Sequence, residues 1–173
     1  IQAWESAPLG PNLAKSFASS ISPWVVPMLA LDQARCPLPG QDPTPLPHLR
    51  MTEPWGLDIT LEIEWNGVVV SRPPYSAMYW SPVQMLAHLT SNGAATSTGD
   101  IFASGTVSGP AKDQRGALIE LVWGGAEPIV VNGVERTFLD DGDVVTIRAT
   151  APGASGGLID FGEVTARILP ATC

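Results

Sequence analysis

Apolar and polar residues alternate most cleanly over Leu57-Asp58-Ile59-Thr60-Leu61-Glu62-Ile63-Glu64-Trp65. A period of two predicts a strand with one face against a core and Asp58, Thr60, Glu62 and Glu64 on the other. Asn66-Gly67 follows at once and predicts a type I′ hairpin into Val68-Val69-Val70, because both residues tolerate positive φ. Glu62 and Glu64 on one face also invite a metal-site reading, which alternation on a half-exposed strand makes unnecessary. Ser81-Pro82-Val83-Gln84 is a capping box with proline at the first helical position. A helix is therefore expected from Pro82 to about Ser91, stopped by Asn92-Gly93, with Val83, Leu86, Ala87 and Thr90 facing the core and His88 off that stripe.

Upstream of the strand, Trp24-Val25-Val26 between Pro23 and Pro27 predicts a short strand, and Met28 to Gln33 one or two helical turns. From Arg35 to Pro54 the prolines at Pro37, Pro39, Pro43, Pro45, Pro47 and Pro54 predict a long loop, either an arm or lid that packs on something or a linker. Downstream of the helix the pattern turns to β. Ala117 to Trp123 has the composition of a buried strand with one carboxylate, Glu120, in its middle. Pro128 to Val131 and Glu135 to Phe138 predict a hairpin across Asn132-Gly133. Val144 to Ala149 and Phe161 to Leu169 predict the last strands, separated by the glycine-rich Pro152 to Gly157. Asp140-Asp141-Gly142-Asp143 lacks the downstream acidic ligand of an EF-hand and is expected to be a turn.

Composition narrows the function classes. The chain has 173 residues, enough for one domain with a real core, and a formal net charge of -8. Nucleic acid and anionic membranes both require clustered Lys and Arg, and no such cluster exists, so neither is expected as a partner. Cys36 and Cys173 are too few for a disulfide framework and lack zinc-ligand spacing, which makes a reducing cytoplasm the expected location. No apolar run is long enough to span a bilayer, and Ile1-Gln2-Ala3-Trp4-Glu5 has no signal-peptide pattern, so the chain is expected to begin within a longer one.

Three positions carry candidate chemistry. Lys15, one of only two lysines, lies in a Pro- and Gly-rich stretch from Pro8 to Pro27 beside Ser16, Ser19, Ser20 and Ser22. A lone ammonium among hydroxyls suits an anion or a developing oxyanion, and its alternative is a solvated loop lysine. Thr106 belongs to Gly105-Thr106-Val107-Ser108-Gly109-Pro110, a glycine-flanked motif that lets backbone approach a ligand. Glu120 needs a cationic or hydrogen-bonding partner if its strand is buried, and points to water if that strand is an edge.

Blocks of the chain also resemble the fumarylacetoacetase family. They are Gln2-Ala3-Trp4-Glu5, Pro8-Leu9-Gly10-Pro11, Leu13-Ala14-Lys15-Ser16-Phe17, Ile21 to Pro27, Met78-Tyr79-Trp80, Ala103 to Pro110 and Leu139 to Asp143, in the family's order across essentially the whole chain. Ser104-Gly105-Thr106-Val107-Ser108-Gly109-Pro110 is similar to the fumarylacetoacetase branch rather than to the acylpyruvate hydrolases and decarboxylases. The resemblance implies a β-rich α+β fold with a rolled mixed sheet, one C-terminal portion of a catalytic domain over residues 1–173, a homodimer, and hydrolysis of a carbon–carbon bond in a 1,3-diketo acid. It implies that Glu120 partners a water-activating histidine, that Lys15 and Gln2 are oxyanion donors, and that Gln2, Ser6 and Thr106 contact substrate. Lys15 and Ser19 fall at the family's divalent-metal site, magnesium or calcium, with Ser19 where threonine is usual.

Two departures qualify the implied function. Ser6 stands where the family has a tyrosine, and it cannot span the same distance to substrate. The family's histidine, an arginine and four metal-binding carboxylates would all precede Ile1, and neither His48 nor His88 matches the missing base. This stretch alone is therefore expected to be inactive. A related 1,3-diketone hydrolase with altered substrate, and a non-catalytic module that keeps the fold, are the alternatives.

Overall fold

The computed structural model describes residues 2–16 and 18–171, and for Gln2 the backbone alone. Helix α1 (Gln2–Glu5) and a 3-10 turn (Leu13–Lys15) open the chain. A longer 3-10 segment (Met28–Ala34) leads into β1 (Arg35–Pro37), which pairs with β2 (Trp55–Leu57). Strands β3 (Thr60–Trp65) and β4 (Val68–Ser71), helices α2 (Pro82–Leu89) and α3 (Leu118–Leu121), and the hairpin β5 (Ile129–Val131) and β6 (Val134–Arg136) follow. Strands β7 (Val144–Pro152) and β8 (Leu158–Arg167) complete a four-stranded sheet of order β4-β3-β7-β8. The fold is α+β with sheet dominating. Of the rolled mixed sheet implied by the family, the described residues supply antiparallel pieces.

Both expected hairpins form, and for the expected reason. Asn66 and Gly67 have φ of 50° and 80°, as do Asn132 and Gly133, the paired positive values a type I′ turn requires. Register then decides which residues share a face. Ile63, Ile147 and Val164 form one row across β3, β7 and β8, and Trp65, Val145 and Ala166 the next. The other face carries the rows Glu62–Arg148–Glu163 and Glu64–Thr146–Thr165. Arg148 bridges Glu64 and Glu163, Arg72 pairs with Glu62, and the Thr146 and Thr165 hydroxyls meet at 3.0 Å. Glu62 and Glu64 are thus members of cross-strand ion pairs, and among the described residues no group of three or more His, Cys, Asp or Glu could hold a metal.

The buried core lies at one end of the sheet, where Leu31, Ala34, Leu57 and Ala151 pack with Val26, Trp55, Ile59, Tyr75, Ile159 and Phe161. A register shift in the β7–β8 ladder between Arg148 and Thr150 changes the parity of β8, so that Ile159 and Phe161 reach this core. Gly162 lies at that shift with φ of 72°, and a Cβ there would come within 2.3 Å of the Trp24 ring. Trp24-Val25-Val26 itself belongs to no strand. Pro23 and Pro27 remove ladder donors at both ends, and the link to the sheet passes instead through the Ser22 hydroxyl, which donates to the Phe161 carbonyl at 3.2 Å.

Three further expectations change. The proline-rich stretch is neither structureless nor a free linker. It contributes β1 and a 3-10 turn (Pro47–Leu49), and the Gln84 amide holds it by donating to Leu49 O at 2.8 Å and Gln41 Oε1 at 3.0 Å. The capping box forms as read, with Ser81 and Gln84 exchanging two hydrogen bonds of 3.0 Å. The buried face of α2 is not the expected one, however, since Gln84 is buried while Val83 and Leu86 face outward. Finally, residues 118–121 form a helix and not a strand. A short apolar run has no period of its own, and Gly124 and Gly125 with positive φ let the chain turn back directly after it.

Candidate functional site

The loop from Ser104 to Gly116 is closed by backbone contacts that only glycine permits. The Gly109 N–H donates to the Gln114 carbonyl at 2.8 Å, and a Cβ on Gly109 would lie 2.5 Å from Gln114 Oε1 and 3.0 Å from Pro74 Cδ. At Gly116 a Cβ would lie 2.0 Å from the Val107 carbonyl oxygen. The Ser71 hydroxyl donates to Arg115 O at 2.6 Å and the Arg72 N–H to Asp113 O at 2.7 Å, which anchors the loop to β4 at the sheet edge. Burial pushes the Tyr75 hydroxyl up from its ordinary pKa, an effect partly offset by its hydrogen bond with Ser104.

Across this loop lies α3, and the two are joined by side chains. The Ser108 hydroxyl donates to Glu120 Oε2 at 2.6 Å, and the Gly116 N–H donates to Ser108 Oγ at 3.0 Å. Arg115 Nη1 donates to the Glu120 carbonyl at 2.9 Å, while its guanidinium stands 5.8 Å from the centre of the Trp123 ring. Thr106 is exposed on the same loop, and its methyl carbon would be 3.3 Å from a Cβ on Gly116. Thr106 and Glu120 are therefore two sides of one feature: an exposed hydroxyl on a glycine-pinned loop, and a half-buried carboxylate bonded to that loop. Motif reading identified both ends but not Ser108, Gly116 or Arg115, whose roles depend on α3 folding back as a helix.

Gln2, Ser6 and Lys15 belong to a second small unit. Glu5 Oε2 accepts the backbone N–H groups of Asn12 and Ala14, both at 3.0 Å, and the Gly10 N–H donates to Ser6 O at 3.0 Å. One carboxylate so clasps the 3-10 turn that ends in Lys15 onto the helix that carries Gln2. Sequence reading assigned Glu5 no role, and its only signal was an acidic residue ahead of the Pro8-Leu9-Gly10-Pro11 turn. Lys15 and Ser19 are exposed. Among the described residues, no hydrogen bond or ion pair links either of them to Thr106 or Glu120, and neither His48 nor His88 hydrogen-bonds Glu120. The Gln2 side chain and Cys173 lie outside the described residues.

Residues close in sequence to Ser19 and to Glu120 line one apolar sheet face. Ala18 and Ser20, on either side of Ser19, line an open groove of about 600 Å³ over Leu139, Val145 and Ile147. The same three residues line a smaller cavity of about 140 Å³ that reaches Gly116 and Leu118, next to Glu120. As a cation site these residues do not suffice, since Lys15 is itself a cation and Ser19 a neutral oxygen, with no carboxylate cluster among the described residues.

Comparison with known proteins supplies the family. Residues 1–169 match the family described as Fumarylacetoacetate (FAA) hydrolase C-terminal. The chain is 44% identical over 178 residues to fumarylacetoacetase from Homo sapiens, 43% over 176 residues to that from Arabidopsis thaliana, and 43% over 177 residues to that from Caenorhabditis elegans. These alignments cover 98–99% of the chain but 42% of each relative, so the chain spans less than half the length of the relatives it matches. With a β-rich α+β fold, a glycine-pinned Thr106 loop bonded to Glu120, and a match that runs almost from end to end, the chain belongs to the fumarylacetoacetate hydrolase C-terminal family.

Proposed function

We propose that this chain is the C-terminal portion of a fumarylacetoacetase, which adds water across a carbon–carbon bond of fumarylacetoacetate to give fumarate and acetoacetate. The observation that carries the reading is the Ser108–Glu120 hydrogen bond of 2.6 Å beside Thr106, on a loop that Gly109 and Gly116 allow to close. A carboxylate held in this way can orient and charge-balance a neighbouring base as that base takes a proton from water. Water adds to a carbonyl of the diketone, the tetrahedral oxyanion collapses, and the carbon–carbon bond leaves with its electron pair on the acetoacetate fragment, where the second carbonyl delocalises it until a proton arrives. Lys15 and Gln2 are the donors for that oxyanion, and Thr106 is the substrate contact.

Further features support a site completed by chain beyond these residues. Lys15 and Ser19 are exposed, and the groove lined by Ala18 and Ser20 on either side of Ser19 is apolar and open. A base, together with carboxylates for a magnesium or calcium ion, would come from beyond these residues. Ser6 makes the choice of diketo acid open to a related substrate. The reading extends to a cytoplasmic homodimeric enzyme of tyrosine and phenylalanine catabolism. Loss of fumarylacetoacetate absorbance, followed with the protein from the complete reading frame, tests the activity. Turnover that falls at least about 100-fold in E120Q supports it, whereas turnover of acylpyruvates in place of fumarylacetoacetate favours the related hydrolase.

A further inference from the structure

The hydrogen bonds around Glu120 run in one direction, and that direction has a consequence for the reaction. A serine hydroxyl has one proton and turns it toward whichever acceptor is nearby, so it seldom fixes the geometry of its neighbour. Ser108 is constrained on both sides. The Gly116 N–H donates to Ser108 Oγ at 3.0 Å, which occupies a lone pair and leaves the hydroxyl proton for Glu120 Oε2 at 2.6 Å. The Gly116 amide is held in turn, because its backbone packs so closely on Val107 that a Cβ would lie 2.0 Å from that carbonyl oxygen. Backbone N–H to hydroxyl to carboxylate is therefore an aligned chain in which each bond polarises the next.

At the far end, Glu120 is tied down at one oxygen only. Oε2 receives the Ser108 proton and the backbone carbonyl receives Arg115 Nη1, while Oε1 accepts no hydrogen bond from any other described residue. We propose that Ser108, held by the Gly116 amide, is a positioning residue for Glu120: it fixes the carboxylate rotamer through Oε2 so that Oε1 is presented to the group that activates water. The proposal rests on the reaction assigned above. It adds a residue that neither touches substrate nor takes part in proton transfer.

The test uses the intact enzyme from the complete reading frame, with kcat and KM for fumarylacetoacetate measured for wild type, S108A, S108T, E120Q and S108A/E120Q, and thermal melting recorded for each. S108A is expected to lower kcat about tenfold with KM within about twofold, as the loss of one charge-assisted hydrogen bond acting on the chemical step predicts. S108T, which keeps the hydroxyl, is expected to recover kcat to within about threefold of wild type. Adding S108A to E120Q is expected to cost less than about twofold, since no carboxylate remains to be positioned. If S108A melts below the assay temperature, the nearly isosteric but weakly donating S108C takes its place with the same expected loss. An unchanged kcat in S108A or S108C, or an equal tenfold loss in the E120Q background, overturns the proposal. A wild type inactive toward fumarylacetoacetate overturns the assigned reaction and this inference with it, and that result is separable because it precedes any variant.

Discussion

Gly116 is the residue where the smallest possible change should be felt. A methyl group there would overlap the Val107 carbonyl, which is backbone and has no flexible end to swing away. G116A is expected to destabilise the intact protein by about 1–3 kcal/mol through forced displacement of the loop, measured as a lower urea midpoint at constant slope; an unshifted midpoint would show the loop to be softer than its contacts imply. Asp143 illustrates a different balance. Burial alone would raise its carboxyl, but the Asp140 N–H, the Asn66 amide and the Arg136 guanidinium together hold it below the usual carboxylate range. Because the folded value is depressed, the stabilisation is fully present above the ordinary carboxylate pKa and is lost as pH falls through the folded one. D143N should therefore lower stability by about 1–3 kcal/mol at pH 7, and the gap to wild type should narrow steadily below about pH 4. Parallel urea curves for the two proteins, with a gap independent of pH, would exclude the mechanism. The Asp140-Asp141-Gly142-Asp143 turn was legible from residue chemistry alone, whereas its partners, Arg136 at the end of β6 and Asn66 from the distant β3–β4 turn, were not.

At the scale of elements, the strongest local signals produced the expected structures. Asn-Gly pairs need positive φ at both positions wherever they occur, so both hairpins could be read without tertiary knowledge. The capping box could be read equally well. S81A removes a fully buried cap that serves the Gln84 N–H, and it is expected to cost about 1–2 kcal/mol in the denaturation midpoint of the intact protein. S81T should behave nearly as wild type, and an S81A midpoint equal to wild type would mean that α2 is held by packing alone. What the box could not disclose was the phase of the buried face. Gln84 points inward because Gln41 and Leu49, more than thirty residues earlier, offer it partners. The helix at Leu118–Leu121 is the instructive difference, since four to seven apolar residues satisfy a buried strand and a short helix equally well. Glu120 makes its contact with Ser108 from that helix.

Over the whole molecule, the apolar rows Ile63–Ile147–Val164 and Trp65–Val145–Ala166 end on β8 in an open groove. Exposed Trp4, Leu9, Leu13, Trp24 and Val25 add to the uncovered apolar surface on the Lys15 side. An apolar surface of this extent suits contact with further protein. The 173-residue chain by itself is therefore expected to turn over no fumarylacetoacetate and to bind an apolar dye such as ANS, while the protein from the complete frame is expected to be active and to bind little dye. Activity of the isolated chain in the absorbance assay would contradict a site shared with other residues.

The chain's own residues determined the hairpins, the helix cap, the acidic character and the family, because each depends on neighbours in sequence or on a motif that is local by nature. They also pointed to Lys15, Thr106 and Glu120, through chemistry that is unusual for its surroundings. Tertiary structure alone decided that Glu62 and Glu64 are spent on ion pairs with arginines, that Glu5 clasps the Lys15 turn, and that Ser108 and the Gly116 amide hold Glu120. The physical reason is the same in each case: a carboxylate is satisfied by whichever donors the fold brings within 3 Å, and that choice is made by register, loop closure and backbone approach, none of which has a signature in adjacent residues.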